Sequence, residues 1–303
     1  GVTVFDTQGY FVPPSGTTEQ RGRGRGLFGG GLAPGRTNSI DYIQIQTQGN
    51  AQDFGDLAST REKLAGAAGA IKGLFAGGDI SPTTNAIEFV TISTTGNVTD
   101  FGDLTDSRDD IAGAANHTRA AFFGGDNTNI IDFVTIASLG NAQDFGDLTV
   151  TGNSGCGCGS PTRGIIFIGS TVQYITWATT GNATDFGDTA ITNTSRMATS
   201  DSTRGIIAGG YSSPAISNVI EYVTIATLGN AQDFGDMVDG IYEPCGASSN
   251  SIRGVLAGGE TSVTVNTITY VTIQSTGNAK DFGDLTKLRK IGAACSDSHG
   301  GLS

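Results

Sequence analysis

The residues of this 303-residue chain that could do chemistry are its aspartates. Asp-Phe-Gly-Asp occurs six times, with its first residue at Asp53, Asp100, Asp144, Asp185, Asp233 and Asp281. An Asp-Phe-Gly triplet can present a magnesium-binding carboxylate for phosphoryl transfer, but that chemistry also needs a phosphate-covering loop and a catalytic loop. The sequence has neither. Carboxylates three apart, such as Asp53 and Asp56, could share a calcium ion only if a turn at Gly55 brought them together, because an extended strand sends them to opposite faces. Six copies point to architecture instead. One Asp of each copy is expected to accept backbone N–H bonds at a strand end, and the other to meet the basic residue that opens a nearby strand.

The remaining reactive side chains form no constellation. The only histidines are His117 and His299. Cys156, Cys158, Cys245 and Cys295 lack zinc-site spacing, and Cys156-Gly157-Cys158 is one residue too tight for a redox pair. All four read as small core residues, and Trp177 as core or blade surface. Asn97, Asn116, Asn182 and Asn193 fit a glycosylation pattern, but two of them lie on a repeated turn that already explains the asparagine. No catalytic residue, metal or cofactor is expected, which disfavours an enzyme.

Composition narrows the class further. A net charge of −12, with 17 Lys and Arg, argues against a phosphate-backbone binder. The only basic cluster, Arg21, Arg23 and Arg25, alternates with glycine and reads as a solvated lead-in, so no nucleic-acid partner is expected. No apolar run nears the roughly 18 residues that cross a membrane, so no membrane insertion is expected, and Gly1–Thr18 does not read as a signal peptide. Glycine is abundant, at 47 copies, which suits an all-β chain with many tight turns.

The repeat sets the architecture. The six Asp-Phe-Gly-Asp copies are spaced by 47, 44, 41, 48 and 48 residues, and each follows Gly-Asn and two further residues. A second anchor is an apolar run ending in Gly-Gly, as in Gly205-Ile-Ile-Ala-Gly-Gly210, usually preceded by a base: Arg25, Lys72, Arg163, Arg204 or Arg253. Each repeat therefore reads as four strands: a small glycine-rich one, the apolar Gly-Gly one, an alternating one such as Glu221–Ala226, and the Asp-Phe-Gly-Asp one. Gly-Asn supplies a hairpin turn between the third and fourth. Four strands in about 45 residues, six times over, predict an all-β, six-bladed propeller. The first strands are small because innermost strands converge on the axis. The chain enters at a second strand, Gly26–Gly30, and ends after a first strand, Lys290–Ser296. The C-terminal strand should therefore complete the N-terminal blade and remove the open edges. Residues 26–303 form the propeller and residues 1–25 an arm. Phe54, Phe101, Phe145, Phe186, Phe234 and Phe282 should be buried between blades.

These residues resemble kelch repeats. Leu104-Thr-Asp-Ser-Arg108 followed by Ala112-Gly-Ala-Ala115 is similar to that family's first strand, the Gly-Gly run to its second, and the aromatic of the third strand (Tyr42, Phe89, Phe133, Tyr174, Tyr222, Tyr270) to its usual aromatic. Phe54 and its counterparts stand where the family has tryptophan. The resemblance covers residues 24–297 and implies a fold more than a function. Separately, Phe11-Val-Pro-Pro-Ser-Gly-Thr-Thr-Glu-Gln-Arg21 resembles a segment of tail fibres and related virion proteins of tailed bacteriophages, with Gly22 in place of its final proline. The Gly-Asn-Ala-x-Asp-Phe-Gly-Asp repeats are similar to those of marine phage proteins.

Length variation locates a recognition surface. From each repeat phenylalanine to the next base the distance stays between 17 and 19 residues, but from that base to the next phenylalanine it ranges from 23 to 30. The variable part joins strands two and three: Gly31–Ser39, Asp79–Ala86, Tyr211–Val219 and Glu260–Thr267, against Ser170-Thr171 in the fourth repeat. Loops that vary over a fixed scaffold commonly carry recognition, which makes Pro34, Arg36, Asp79, Tyr211 and Glu260 candidate contacts. In the arm, Val4, Phe5, Tyr10, Phe11 and Arg21 are candidate attachment residues. The resemblances imply a non-enzymatic virion protein: a fibre, decoration or receptor-binding propeller displayed on a phage particle. It would be held by other virion proteins or copies of itself through the arm, and would face a host surface glycan or protein. The alternative is a secreted or cell-surface carbohydrate-binding propeller.

Overall fold

The computed structural model describes residues 4–5, 11–12, 24–32 and 34–302. Six four-stranded antiparallel sheets are arranged as blades around an axis. The second blade shows the plan: Ala65–Ala68 innermost, then Lys72–Ala76, Ala86–Thr91 and Thr99–Asp103 outermost. As expected, the first blade is closed by the C-terminal strand. Ala293–Ser296 pairs with Arg25–Gly29, Ala293 opposite Gly29 and Ser296 opposite Gly26. The join imitates an ordinary turn: Asp297 accepts from the N–H groups of Gly24 and Arg25, as Asp201 accepts from those of Thr203 and Arg204. Arg25, counted with the arm from sequence, thus opens the first blade's second strand.

Strand direction gives the ring two faces. The turns after the first strands and the Gly-Asn hairpins lie on one, the lower face. The loops between strands two and three and the connections between blades lie on the other, the upper face. In the arm, Val4–Phe5 pairs with Phe11–Val12; Tyr10, Arg21 and Pro13-Pro14 lie outside the described residues.

The repeat motif works between blades. Each of the six phenylalanines is at most 3% exposed and meets the third-strand aromatic of its own blade edge to face, with ring centroids 5.6–6.1 Å apart. Phe101 packs with Ile87 of its own blade and with Phe122 and Val134 of the next. The motif's glycine is dictated by its neighbour. At Gly102, φ is +148°, and an added Cβ would stand 2.5 Å from the carbonyl oxygen of Gly140 in the next blade's hairpin. That hairpin is fastened to the motif by backbone bonds, Gly140 N–H to Phe101 O (2.8 Å) and Ala142 N–H to Asp103 O (2.7 Å). Asn141 Oδ1 accepts from Asp103 N–H. The same asparagine bond recurs at all six junctions. The hairpin asparagine therefore serves as an acceptor, and its glycine alone takes the positive φ.

The expected pairing of an aspartate with the basic residue is not formed. Among the described residues no ion pair involves an Asp-Phe-Gly-Asp carboxylate. Instead each base lies over its own blade's third-strand aromatic and donates to a carbonyl of the next blade. Arg204 sits 4.2 Å from the Tyr222 centroid and donates to Ile273 O at 2.9 Å, and Arg119 completes the set over Phe133, donating to Trp177 O. A cation over an aromatic face gains from the ring's quadrupole while satisfying a strand-end carbonyl.

A second device fixes the connections on the upper face. Arg61, Arg108 and Arg289 are fully buried and pair with Glu88, Asp132 and Asp41 on the third strands. Arg289 also donates to Phe28 O and Ser39 O, while Asp41 accepts from Thr286. In the fifth blade Arg196, three residues further on, lies 4.0 Å from Glu221. The fourth and sixth blades carry Gly152 and Ile241 at the arginine position. There the acid is replaced as well, by Gln173 and Thr269, both buried. Charge enters or leaves this site in pairs because a lone buried ion is costly.

Candidate functional site: the upper funnel and its rim

The axis opens on the upper face as a funnel of about 230 Å³. Its walls are inner-strand glycines and alanines. Its lip is formed by the residue two before each inner strand or nearly so: Lys63, Asp110, Ser154, Ser195, Glu243 and Ile291. All six hold φ between 49° and 57°, a left-handed conformation that costs a non-glycine residue roughly 1–2 kcal/mol. At the lower end the funnel narrows toward His299. The imidazole Nε2–H donates to Ala68 O at 2.6 Å and Nδ1 accepts from Gly301 N–H. Burial in the axis pulls its pKa down to about 4, so it stays neutral. His117, by contrast, is exposed on the lower face.

Short bridges between strand ends hold the rim. Glu62 pairs with Asp79, Thr194 with Tyr211, and Tyr242 with Glu260. In the first blade Leu32 pairs both with Arg36 and with Lys290. Three of the five candidate loop residues, Asp79, Tyr211 and Glu260, thus have backbones fixed by the adjacent connection. Arg36 joins Asp79 directly, Nη2 to Oδ2 at 2.5 Å, and reaches Glu62 Oε1 at 3.1 Å. Glu260 and Tyr211 are joined through Tyr242, whose hydroxyl donates to Glu260 Oε1 at 2.8 Å and whose ring lies 5.6 Å from that of Tyr211. Pro34 is exposed at a bend of its loop.

The rim's charges come as triads that cross blade boundaries. Arg36 lies between Glu62 and Asp79, Lys63 between Asp109 and Asp110, and Lys290 between Glu243 and Glu260. Desolvation pulls the Lys290 ammonium down, but its bonds to Glu243 and Glu260 outweigh that and hold it above its ordinary value. The Lys290 bond holds Glu260 below the usual carboxylate range. Asp109 goes the other way. Burial, a shared hydrogen bond with Asp126 and the nearby Asp110 charge push it up to about 6.

The rim is not uniform. Backbone bonds link the lip from Glu243 through Ile291 and Lys63 to Asp110. No such bond joins Asp110, Ser154, Ser195 and Glu243 among the described residues, and the fourth blade's loop is reduced to Gly169-Ser170 between its strands. The loops between strands two and three are thus long over the first, second, fifth and sixth blades, shorter over the third, and reduced to a notch at the fourth.

Sequence reasoning found the loops but missed Glu62, Lys63, Tyr242, Glu243 and Lys290, which lie on connections whose length varies by only one residue. The signal was there in residue type: Glu62, Asp109, Asn153, Thr194, Tyr242 and Lys290 occupy one equivalent position and all differ. The four cysteines are buried and unpaired, as expected of core residues. Among the described residues no group of three acids, histidines or cysteines is placed to hold a metal. No protein-family model matches the chain, and no curated protein matches it either.

Proposed function

We propose that this chain is a non-enzymatic recognition module of a bacteriophage particle, held by residues 1–23 and presenting its upper face to a host surface. One observation carries the reading. The chain joins the propeller at Gly24, on the lower face, whereas the loops of variable length and the funnel open on the opposite side. A module that is anchored at one face and recognises at the other needs this polarity. The phage assignment comes from the resemblance of residues 11–21 and of the repeats to virion proteins. A binding role without catalysis is supported by the state of the reactive groups. Burial pushes the Cys156, Cys245 and Cys295 thiols up to about 12, and the rim carboxylates are largely engaged by cations.

The test is deletion of residues 1–23 from the full chain. The expected result is an unchanged melting temperature with loss of incorporation into the particle, scored by immunogold electron microscopy of the native source. Normal incorporation of the truncated protein would overturn the attachment role, and absence of the protein from any particle would favour the secreted carbohydrate-binding reading.

A further inference from the structure

We propose that the funnel lip and the Tyr211–Tyr242 shelf form a binding site for a neutral saccharide, entered across the notch at the fourth blade. The inference rests on the upper face being the recognition face.

Charge disfavours an anionic ligand. Three cations face six carboxylates in the triads, a net of −3, and each cation is already held between two acids. An anionic ligand would meet like charge and no free base. What the rim leaves unpartnered is neutral. Ser154 and Ser195 line the funnel on either side of the notch, and neither hydroxyl is hydrogen-bonded to another described residue. Glycine would fit their positive φ without strain, as it would at the other four lip positions.

The shelf supplies the other half. Tyr211 is 37% exposed and tilted 42° against Tyr242. Tyr242 is anchored by its bond to Glu260 and precedes Glu243, which lines the funnel. A pyranose ring offers an apolar C–H face to such an aromatic surface and hydroxyls to carboxylate and serine oxygens. A few placed polar groups beside an apolar wall is the usual make-up of a small-molecule site. The funnel, at about 230 Å³, is smaller than the roughly 300–1,000 Å³ typical of drug-sized ligands. A terminal sugar would enter it while the rest of the glycan leaves over the notch.

Affinity electrophoresis of the full chain through gels containing mannan, dextran, laminarin or galactan, with alginate as the anionic and chitosan as the cationic polymer, tests this. At least one neutral polymer should retard the wild type. The variants Ser154→Gly/Ser195→Gly and Tyr211→Ala should weaken that retardation at least tenfold. The serine variant should melt at the same or a higher temperature, because glycine relieves the left-handed strain, which separates lost binding from lost folding. Retardation by no neutral polymer, by alginate or chitosan alone, or equally for wild type and variants, overturns the proposal. Adsorption of the labelled chain to host cells keeps the two readings apart. Adsorption that neutral polymers do not compete sinks the saccharide site and leaves adhesion standing, whereas no adsorption at all sinks both.

Discussion

The ring closes on a buried ion pair, and breaking that pair one partner at a time should reveal how the fold manages charge. Asp41 and Arg289 have fully buried side chains, 3.0 Å apart, on blades that are neighbours only because the ring is closed. The substitution Asp41→Asn keeps the shape and the acceptor for Thr286 N–H (2.9 Å) but leaves the guanidinium without a counter-charge. Removing one member of a buried pair costs about 3–5 kcal/mol. Arg289→Met should cost a similar amount at pH 8, since it strands Asp41 and removes the donors to Phe28 O and Ser39 O. Its pH dependence has a definite sign. A carboxylate buried without its cation has a folded pKa raised above the unfolded value of about 3.9. The variant then binds more protons folded than unfolded, and its deficit should shrink as pH falls toward 5. The double variant should lose about 1–3 kcal/mol, well short of the sum, because the fourth blade already carries the neutral solution: Gln173 accepts from Thr149 N–H and Oγ1 just as Asp41 accepts from Thr286. Urea unfolding followed by tryptophan fluorescence and circular dichroism at pH 5 and 8 measures the cycle. Additive losses, or a single-variant loss under about 1 kcal/mol, would refute the reasoning that these charges are retained only as pairs.

Three further outcomes can be measured by the same methods. Gly102→Ala should destabilise by about 3 kcal/mol or more, because its Cβ would press on the carbonyl of Gly140 at a φ that alanine rarely adopts; a loss below about 1 kcal/mol would mean the hairpin gives way. Phe145→Ala should cost about 3–5 kcal/mol, the usual range for a buried Phe truncation, since its ring is 2% exposed between the third and fourth blades. Asp109→Asn should stabilise the protein by about 1 kcal/mol at pH 7, allowing for partial solvent screening. With a folded pKa near 6, above its unfolded value, Asp109 takes stability away as pH rises from about 4 to 6, so the variant's advantage should disappear by pH 4, and an advantage independent of pH would count against the shared proton.

Much of the fold was legible because the repeat is regular at every level. Gly-Asn marks six hairpins, Asp-Phe-Gly-Asp six outer strands, and Lys290–Ser296 is a first strand left over, matching the N-terminal blade that lacks one. The candidate site was half legible. Asp79, Tyr211 and Glu260 could be picked out because loop length varies around them. Their partners Glu62, Tyr242 and Lys290 could not, because the connections that carry them differ in length by only one residue.

The linear pattern by itself determined what depends on neighbours along the chain: strand, turn, strand number per repeat and the number of blades. Which groups meet across blades was decided only by closing the ring. Arg61 sits in a polar stretch, Ser59-Thr-Arg-Glu-Lys63, that reads as solvated, yet its side chain is fully buried against Glu88. The repeated aspartates were expected to meet the bases, but those bases find a closer partner in the next blade's carbonyls. The glycine of each motif was visible as a repeat, but its necessity was not, since the carbonyl that forbids a side chain belongs to another blade. Spacing sets local geometry, whereas contacts between residues such as Asp41 and Arg289, 248 positions apart, exist only once the closed ring brings the ends together.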